Sequence, residues 1–290
     1  MPATLMRKPK NKKKDGSWTE VREGMRIEWD VPITMDDGLV LRANVYRPIK
    51  KGTYPVILSH GPYAKDLAIQ DGYPSVWEHF STDHPEAIAG STNIHQSWEV
   101  VDPEQWVPDN YICIRVDSRG AGRSPGFIDH WSPRETQDFK DCIEWAGEQS
   151  WSNGKVGLAG ISYYAVNQWQ VAALRPKYLA AMCVWEGFSD FYREMSHHGG
   201  IHTTFISNWY NLQIKTVQHG LGKRGHKSRV TGELVAGPKT LSDKQLEKNR
   251  TNLGQDYRSH PLDDQYYSNR NADFSKIQVP LLSATSWAGQ

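Results

Sequence analysis

Apolar and polar positions keep a two-residue rhythm early in the chain and shift to a helical rhythm further on. Residues 27–34 and 39–46 alternate around Met35-Asp36-Asp37-Gly38, and an Asp-Gly pair between two alternating runs predicts a β-hairpin. Residues 54–59 form a short apolar run that ends at His60-Gly61-Pro62, which predicts a buried strand entering a loop. Residues 64–104 mix aromatic and polar side chains with weak periodicity, so a helix and a long loop are expected there. Residues 111–116 predict another strand, followed by a glycine-rich loop over 117–126. Ser132-Pro133-Arg134-Glu135 then opens a helix. Ser132 can cap it, Pro133 suits the first helical position, and Glu135 completes a capping box. Phe139, Cys142, Ile143 and Ala146 share one face of that helix. Asn153-Gly154 turns the chain into a strand over 156–159, and Ala165, Trp169, Ala172 and Ala173 make the packing face of the next helix. Pro176 stops that helix, and residues 179–185 read as a strand.

Strands alternating with helices predict a mainly parallel, doubly wound α/β sheet with an antiparallel start. Residues 187–275 break the rhythm: they are rich in aromatic residues, histidine, lysine and asparagine and lack strand-like apolar runs. A partly helical cap insertion over the sheet edge is expected there, and residues 279–284 resume a strand. No internal repeat is visible.

The chemistry concentrates at Gly160-Ile161-Ser162, where an apolar strand ends in glycine and a helix follows. A serine on a sharp strand-to-helix turn is lifted out of the sheet, with the next backbone N–H groups beside whatever it attacks. Ser162 is therefore the candidate nucleophile of an α/β-hydrolase fold. The competing use is a plain helix N-cap. One residue departs from the general Gly-x-Ser-x-Gly pattern, since Tyr164 stands where a small residue is usual.

Composition adds limits. The chain has 290 residues, 38% of them hydrophobic, and a formal net charge of +1, which gives no electrostatic case for a nucleic-acid partner. The run from Arg7 to Lys14 is basic and reads as part of a solvated, disordered tail over 1–25. No apolar run is long enough to suggest a membrane span or a signal peptide. Cys113, Cys142 and Cys183 form no Cys-x-x-Cys pair and read as buried small hydrophobes in a reducing, cytoplasmic compartment.

At this point the chain resembles the serine hydrolases that include cocaine esterase, α-amino acid ester hydrolases and Xaa-Pro dipeptidyl-peptidase-like proteins. The likeness rests on Gly160-x-Ser162-Tyr163-x-Ala165 with Gln168-Trp169-Gln170, and on Asp36-Asp37-Gly38 with Val45-Tyr46-Arg47-Pro48. It extends to Pro62-Tyr63-x-Lys65, Asp117-x-Arg119-Gly120-x-Gly122, Glu135-x-x-Asp138-x-x-Asp141 and Trp151-x-x-Gly154-x-Val156-Gly157. The resemblance implies a core over 26–186, a cap over 187–275, a return to the core over 276–290, and a C-terminal β-sandwich beyond Gln290. It also implies an ester or amide substrate of small size, cleaved through an acyl-enzyme on Ser162, with no cofactor. The Tyr63 hydroxyl and the Tyr163 backbone N–H would form the oxyanion hole. Asp117 and Arg119 are expected to pair and pin the loop beside it.

The resemblance places an acid two residues after Trp287, where this chain has Gly289. Glu186 and Asp190 are the candidate substitutes, and the histidine base is expected beyond Gln290. His197, His198 and His202 stand near Asp190 and Glu194, which leaves open a metal-assisted hydrolysis, although a cap lining is the plainer use. Trp185, Trp209 and Tyr210 are candidates for an acyl pocket. A catalytically degenerate binding module is the non-enzymatic alternative, and a homo-oligomer stays open.

Overall fold

The Asp37-Gly38 turn joins the two strands its sequence predicts. In the computed structural model, which describes residues 11–287, β2 (Met25–Thr34) and β3 (Val40–Pro48) pair antiparallel across it. Their register shifts between Glu28 and Val31, and this bulge turns Asp30 toward Lys65 and Arg123. β1 (Trp18–Arg22) pairs antiparallel with β2 and stacks Trp18 on Trp29. The disordered tail expected over 1–25 is thus corrected over residues 11–25. Burial of Trp18 and the ladder to β2 order this stretch, and Lys12 ion-pairs with Glu233. Residues 1–10, with the first half of the basic run, lie outside the described residues.

The sheet continues with β4 (Tyr54–Gly61), β5 (Ile112–Asp117), β6 (Ser152–Ile161), β7 (Leu179–Trp185) and β8 (Leu281–Ala284). Its order is β1-β2-β3-β5-β4-β6-β7-β8. β3 meets β5 antiparallel, and every neighbour from β5 to β8 is parallel. The chain ends of β4, β5, β6 and β7 therefore open at one edge, where open parallel sheets bind ligands. Between β4 and β5 lies α1 (Pro74–Asp83) within a long irregular stretch.

Helix α2 (Pro133–Glu148) buries Phe139, Cys142, Ile143 and Ala146, and α3 (Tyr163–Ala173) buries Ala165, Trp169, Val171 and Ala172, all in the core shared with the parallel strands. The predicted loop pair does not form. Arg119 makes a two-pronged bond to Asp138 at 2.8 and 2.9 Å and reaches Asp37 at 2.8 Å. Asp117 instead accepts the backbone N–H groups of Lys65 at 2.6 Å and Arg123 at 2.8 Å. Cys183 is half-buried rather than buried like Cys113 and Cys142.

Residues 187–275 contain short helices, among them Phe205–Trp209, Asp243–Lys248 and Leu253–Ser259, and one two-residue strand pair, His197–His198 with Ile201–His202. Phe191, Met195, Ile206, Trp209, Tyr257 and Tyr267 of this cap form a second core with Tyr63, Trp131, Tyr163 and Tyr164. Among the described residues no helix is long and apolar enough to cross a membrane.

Candidate active site

β6 delivers Ser162 to a sharp turn into α3. The serine backbone sits at φ +54°, ψ −113°, a conformation that non-glycine residues rarely hold without support. The support is on both sides. Ser162 N–H donates to the Trp185 carbonyl at 3.0 Å, and the Ser162 carbonyl accepts from Ala165 and Val166 N–H at 2.9 Å. Ser162 reaches a cavity of about 860 Å³ whose wall includes Tyr63, Glu99, Trp131, Tyr163 and Trp209.

Tyr164, the departure from the general elbow, is accommodated by two glycines. A Cβ on Gly160 would lie 2.3 Å from the Tyr164 Cβ, and a Cβ on Gly61 would lie 2.5 Å from the Tyr164 ring. Room for the ring is supplied at Gly61, and Gly160 clears the Cβ that any residue but glycine carries at 164.

Tyr63 follows β4 and is buried with its ring edge-on to Tyr163 and Tyr164. The Trp209 indole N–H donates to the Tyr63 hydroxyl oxygen at 2.9 Å. That fills an acceptor site on the phenol and leaves its own O–H to donate elsewhere. Burial raises the Tyr63 pKa well above its ordinary value, so the proton stays on. The loop is pinned from behind, because the buried Lys65 ammonium bonds Asp30 at 2.8 Å and Asp66 at 2.6 Å. The Asn167 side chain of α3 also donates to the His60 carbonyl at 2.7 Å.

Tyr163 supplies the first N–H of α3, one of the donors a helix start leaves without an intrahelical acceptor. Its ring is fixed by stacking on Trp131, centroids 4.2 Å apart, and its hydroxyl donates to Glu135 Oε2 at 2.6 Å. His130 Nδ1 lies 3.1 Å from the same hydroxyl. The capping box predicted at 132–135 is half formed. Ser132 accepts the Glu135 N–H at 3.2 Å, but the Glu135 carboxyl accepts from Trp131 N–H, at 2.6 Å, and from Tyr163. Burial pushes Glu135 up to about 7.

The two candidate acids separate. Glu186, at the end of β7, lies on the cavity wall with Ser162, and its Oε1 accepts the Ser286 N–H at 2.7 Å. Asp190 caps the turn after it and does not line the cavity: its carboxyl takes the Arg193 N–H at 2.7 Å and the Arg193 guanidinium at 2.6 Å. His198 reaches the cavity, where its Nε2 donates to the Glu194 carbonyl. Among the described residues no histidine is hydrogen-bonded to Ser162. Nor does any group of three or more His, Cys, Asp or Glu gather to hold a metal ion, so the cap histidines make no donor set for the metal-assisted reading. His197 instead stacks on Tyr192, and His202 packs against it edge-on. Of the candidate pocket aromatics, Trp209 lines the cavity, whereas Tyr210 is buried in the cap core.

Glu99 carried no signal in the sequence, because it lies in the stretch of weak periodicity. The fold brings it to the cavity beside Tyr63 and Tyr163.

Residues 37–290 match the profile of the X-Pro dipeptidyl-peptidase (S15) family. Cocaine esterase from Rhodococcus sp. (strain MB1 Bresler) is 31% identical over 165 residues, which is 57% of this chain and 24% of the esterase. A CocE/NonD family hydrolase from Staphylococcus aureus is similar in structure, with TM-score 0.68 and 34% identity over 88% of this chain and 40% of that one. An α-amino acid ester hydrolase shares the fold at 17% identity, TM-score 0.56, over 87% of this chain and 41% of that one. The chain spans about a quarter of the length of the esterase and about two-fifths of the two solved structures. The sheet and its flanking helices are those of the α/β-hydrolase fold.

Proposed function

Because the chain belongs to the X-Pro dipeptidyl-peptidase (S15) family, we propose that it is a serine hydrolase cleaving ester or amide bonds, Xaa-Pro peptide bonds among them, through an acyl-enzyme on Ser162. One observation carries the reading. A serine held at φ +54° shares a cavity with a buried phenol whose hydroxyl is already oriented by an indole donor.

The chemistry follows from that pairing. Ser162 Oγ attacks the substrate carbonyl and passes its proton to a histidine base. The carbonyl oxygen becomes an oxyanion, which takes hydrogen bonds from the Tyr63 O–H and the Tyr163 N–H. Collapse expels the alcohol or amine, which takes the proton back from the histidine, and water then releases the acyl group by the same steps. Glu186 is the better of the two candidate acids for orienting the base, since its carboxyl is on the cavity wall and Asp190 is spent on a cap.

Fluorophosphonate treatment of the full-length protein, histidine base included, followed by peptide mass mapping tests the reading. The adduct is expected on Ser162, and Ser162→Ala is expected to abolish both labelling and hydrolysis of p-nitrophenyl esters. An adduct on a different serine, or ester hydrolysis that survives Ser162→Ala, overturns it.

A further inference from the structure

The cavity around Ser162 contains a carboxyl group that the mechanism above leaves unused. Glu99 lies in the loop ahead of β5, and its side chain lines the cavity together with Tyr63, Ser162 and Tyr163. Its Oε2 is buried with no hydrogen-bond partner. An unpartnered buried oxygen at the edge of a substrate cavity calls for a ligand or a role.

The placement is enforced. Glu99 holds a left-handed φ of +59°, and its carbonyl accepts the Ile161 N–H at 3.1 Å, which ties it to the strand that carries the nucleophile. The Arg115 guanidinium of β5 clamps the loop on both sides of Glu99, donating to the His95 carbonyl at 2.6 Å and the Val101 carbonyl at 2.7 Å. Ser97 donates to the Leu67 carbonyl at 2.9 Å, and Trp98 stacks on Tyr73 with ring centroids 3.9 Å apart. A left-handed residue tied to the nucleophile strand within a loop so firmly fixed is a common mark of a working position.

We propose that Glu99 is a third donor of the oxyanion hole, a neutral carboxylic acid whose O–H bonds the developing negative oxygen beside Tyr63 and the Tyr163 N–H. The proposal rests on the Ser162 reading above. The proton stays on Glu99 while the tetrahedral intermediate forms and collapses, so no proton is gained or lost by this step. A neutral acid can donate where an ionised one would oppose the oxyanion, a device by which buried carboxyl groups stabilise negative oxygen.

The surroundings favour the neutral form. Burial is the leading cause and pushes Glu99 up to about 8; Trp98 and the Tyr163 N–H, which donates to the Glu99 carboxyl until an oxyanion takes its place, pull more weakly the other way. Tyr63 after β4, Tyr73 before α1 and Tyr164 of α3 face it, and none offers a positive charge. Elsewhere on the cavity wall stand Glu186, Glu194, His198 and the cation Arg193, which is taken up by Asp190 and Asp263.

The test measures the second-order rate of Ser162 modification by a fluorophosphonate from about pH 6 to about pH 10 in the full-length protein, together with thermal unfolding. The wild-type rate is expected to fall as Glu99 ionises near pH 8. Glu99→Gln keeps a neutral donor, so it should stay within about 10-fold of wild type and lose the alkaline fall, while Glu99→Ala should be about 100-fold slower at neutral pH. Glu99→Ala at the wild-type rate, or an unchanged alkaline fall in Glu99→Gln, overturns the role of Glu99 and leaves Ser162 standing. A rate that rises as Glu99 ionises, and only with ammonium-bearing esters, also overturns it and makes Glu99 a cation site. Absence of any Ser162 adduct in wild type overturns the Ser162 reading, and the Glu99 assignment falls with it.

Discussion

Replacing Tyr63 by phenylalanine removes one oxygen from a ring held on every side by the cap and by α3. Two consequences follow, and they can be measured apart. The Trp209 indole loses the acceptor it now reaches at 2.9 Å. Trp209 is buried, so an unsatisfied N–H there costs about 1–3 kcal/mol of stability. The catalytic effect is larger. Loss of one oriented oxyanion donor typically lowers the rate about 100- to 1000-fold, or about 2.7–4 kcal/mol. Trp209→Phe leaves the donor in place but frees its hydroxyl to turn. The loss of one ordinary hydrogen bond, about 0.5–1.5 kcal/mol, then predicts a fall of about 3- to 10-fold. Hydrolysis of p-nitrophenyl acetate and the fluorophosphonate rate give the catalytic term, and urea unfolding gives the stability term. In the double variant the stability penalty should shrink, because neither partner is left unsatisfied, while the catalytic loss should match that of Tyr63→Phe alone. Tyr63→Phe that loses stability yet retains more than about a third of the wild-type rate would reduce Tyr63 to packing and refute the donor argument.

Three further predictions concern stability. His60 is buried against Phe139 with neither ring nitrogen hydrogen-bonded, and burial lowers its pKa from 6.5 to about 4. The folded state therefore refuses a proton that the unfolded chain accepts. Stability from this site is complete above pH 6.5 and drains away as pH falls through 4, and His60→Phe should spare about 2–3 kcal/mol of the loss between pH 7.5 and 4.5 in urea titrations. Glu135 has the opposite sign: with its pKa raised from 4.5 to about 7, its stability is complete below 4.5 and is lost as pH rises through 7. Glu135→Gln should flatten that decline, gaining about 3 kcal/mol on wild type between pH 4.5 and 8, and a parallel pH dependence in the two proteins would sink the assignment. Lys65→Met leaves Asp30 and Asp66 without the buried ammonium they share and should cost about 3–5 kcal/mol in the same assay, whereas a change below about 1 kcal/mol would show the loop does not depend on it.

The parts of this fold that could be read from the sequence are those with local signals. Asp37-Gly38 between alternating runs, Ser132-Pro133 before a helical stripe, and a glycine two residues ahead of Ser162 each act within a few residues, and each element is found where it was expected. What was not legible depends on distant partners. β1 is ordered because Trp18 meets Trp29 across a ladder, which a nearby run of lysines obscures. Arg119 turns from Asp117 to Asp138, a residue on the next helix that offers both carboxylate oxygens. Glu135 looks like half of a capping box and serves Tyr163, 28 residues away. Glu99 reaches the cavity only because Arg115 grips carbonyls on either side of it, a contact no periodicity encodes.

Tyr164 and the two glycines beneath it also bear on how such a chain can change over generations. Any side chain at 61 or 160 would meet the Tyr164 ring or its Cβ at 2.5 Å or less. Substitutions at these three positions are therefore ordered in time: 164 must lose its ring before 61 can grow, and its Cβ as well before 160 can, and the reverse order passes through a broken elbow. A lineage that acquired the tyrosine has in effect locked its glycines, and a return to the general motif must begin at 164.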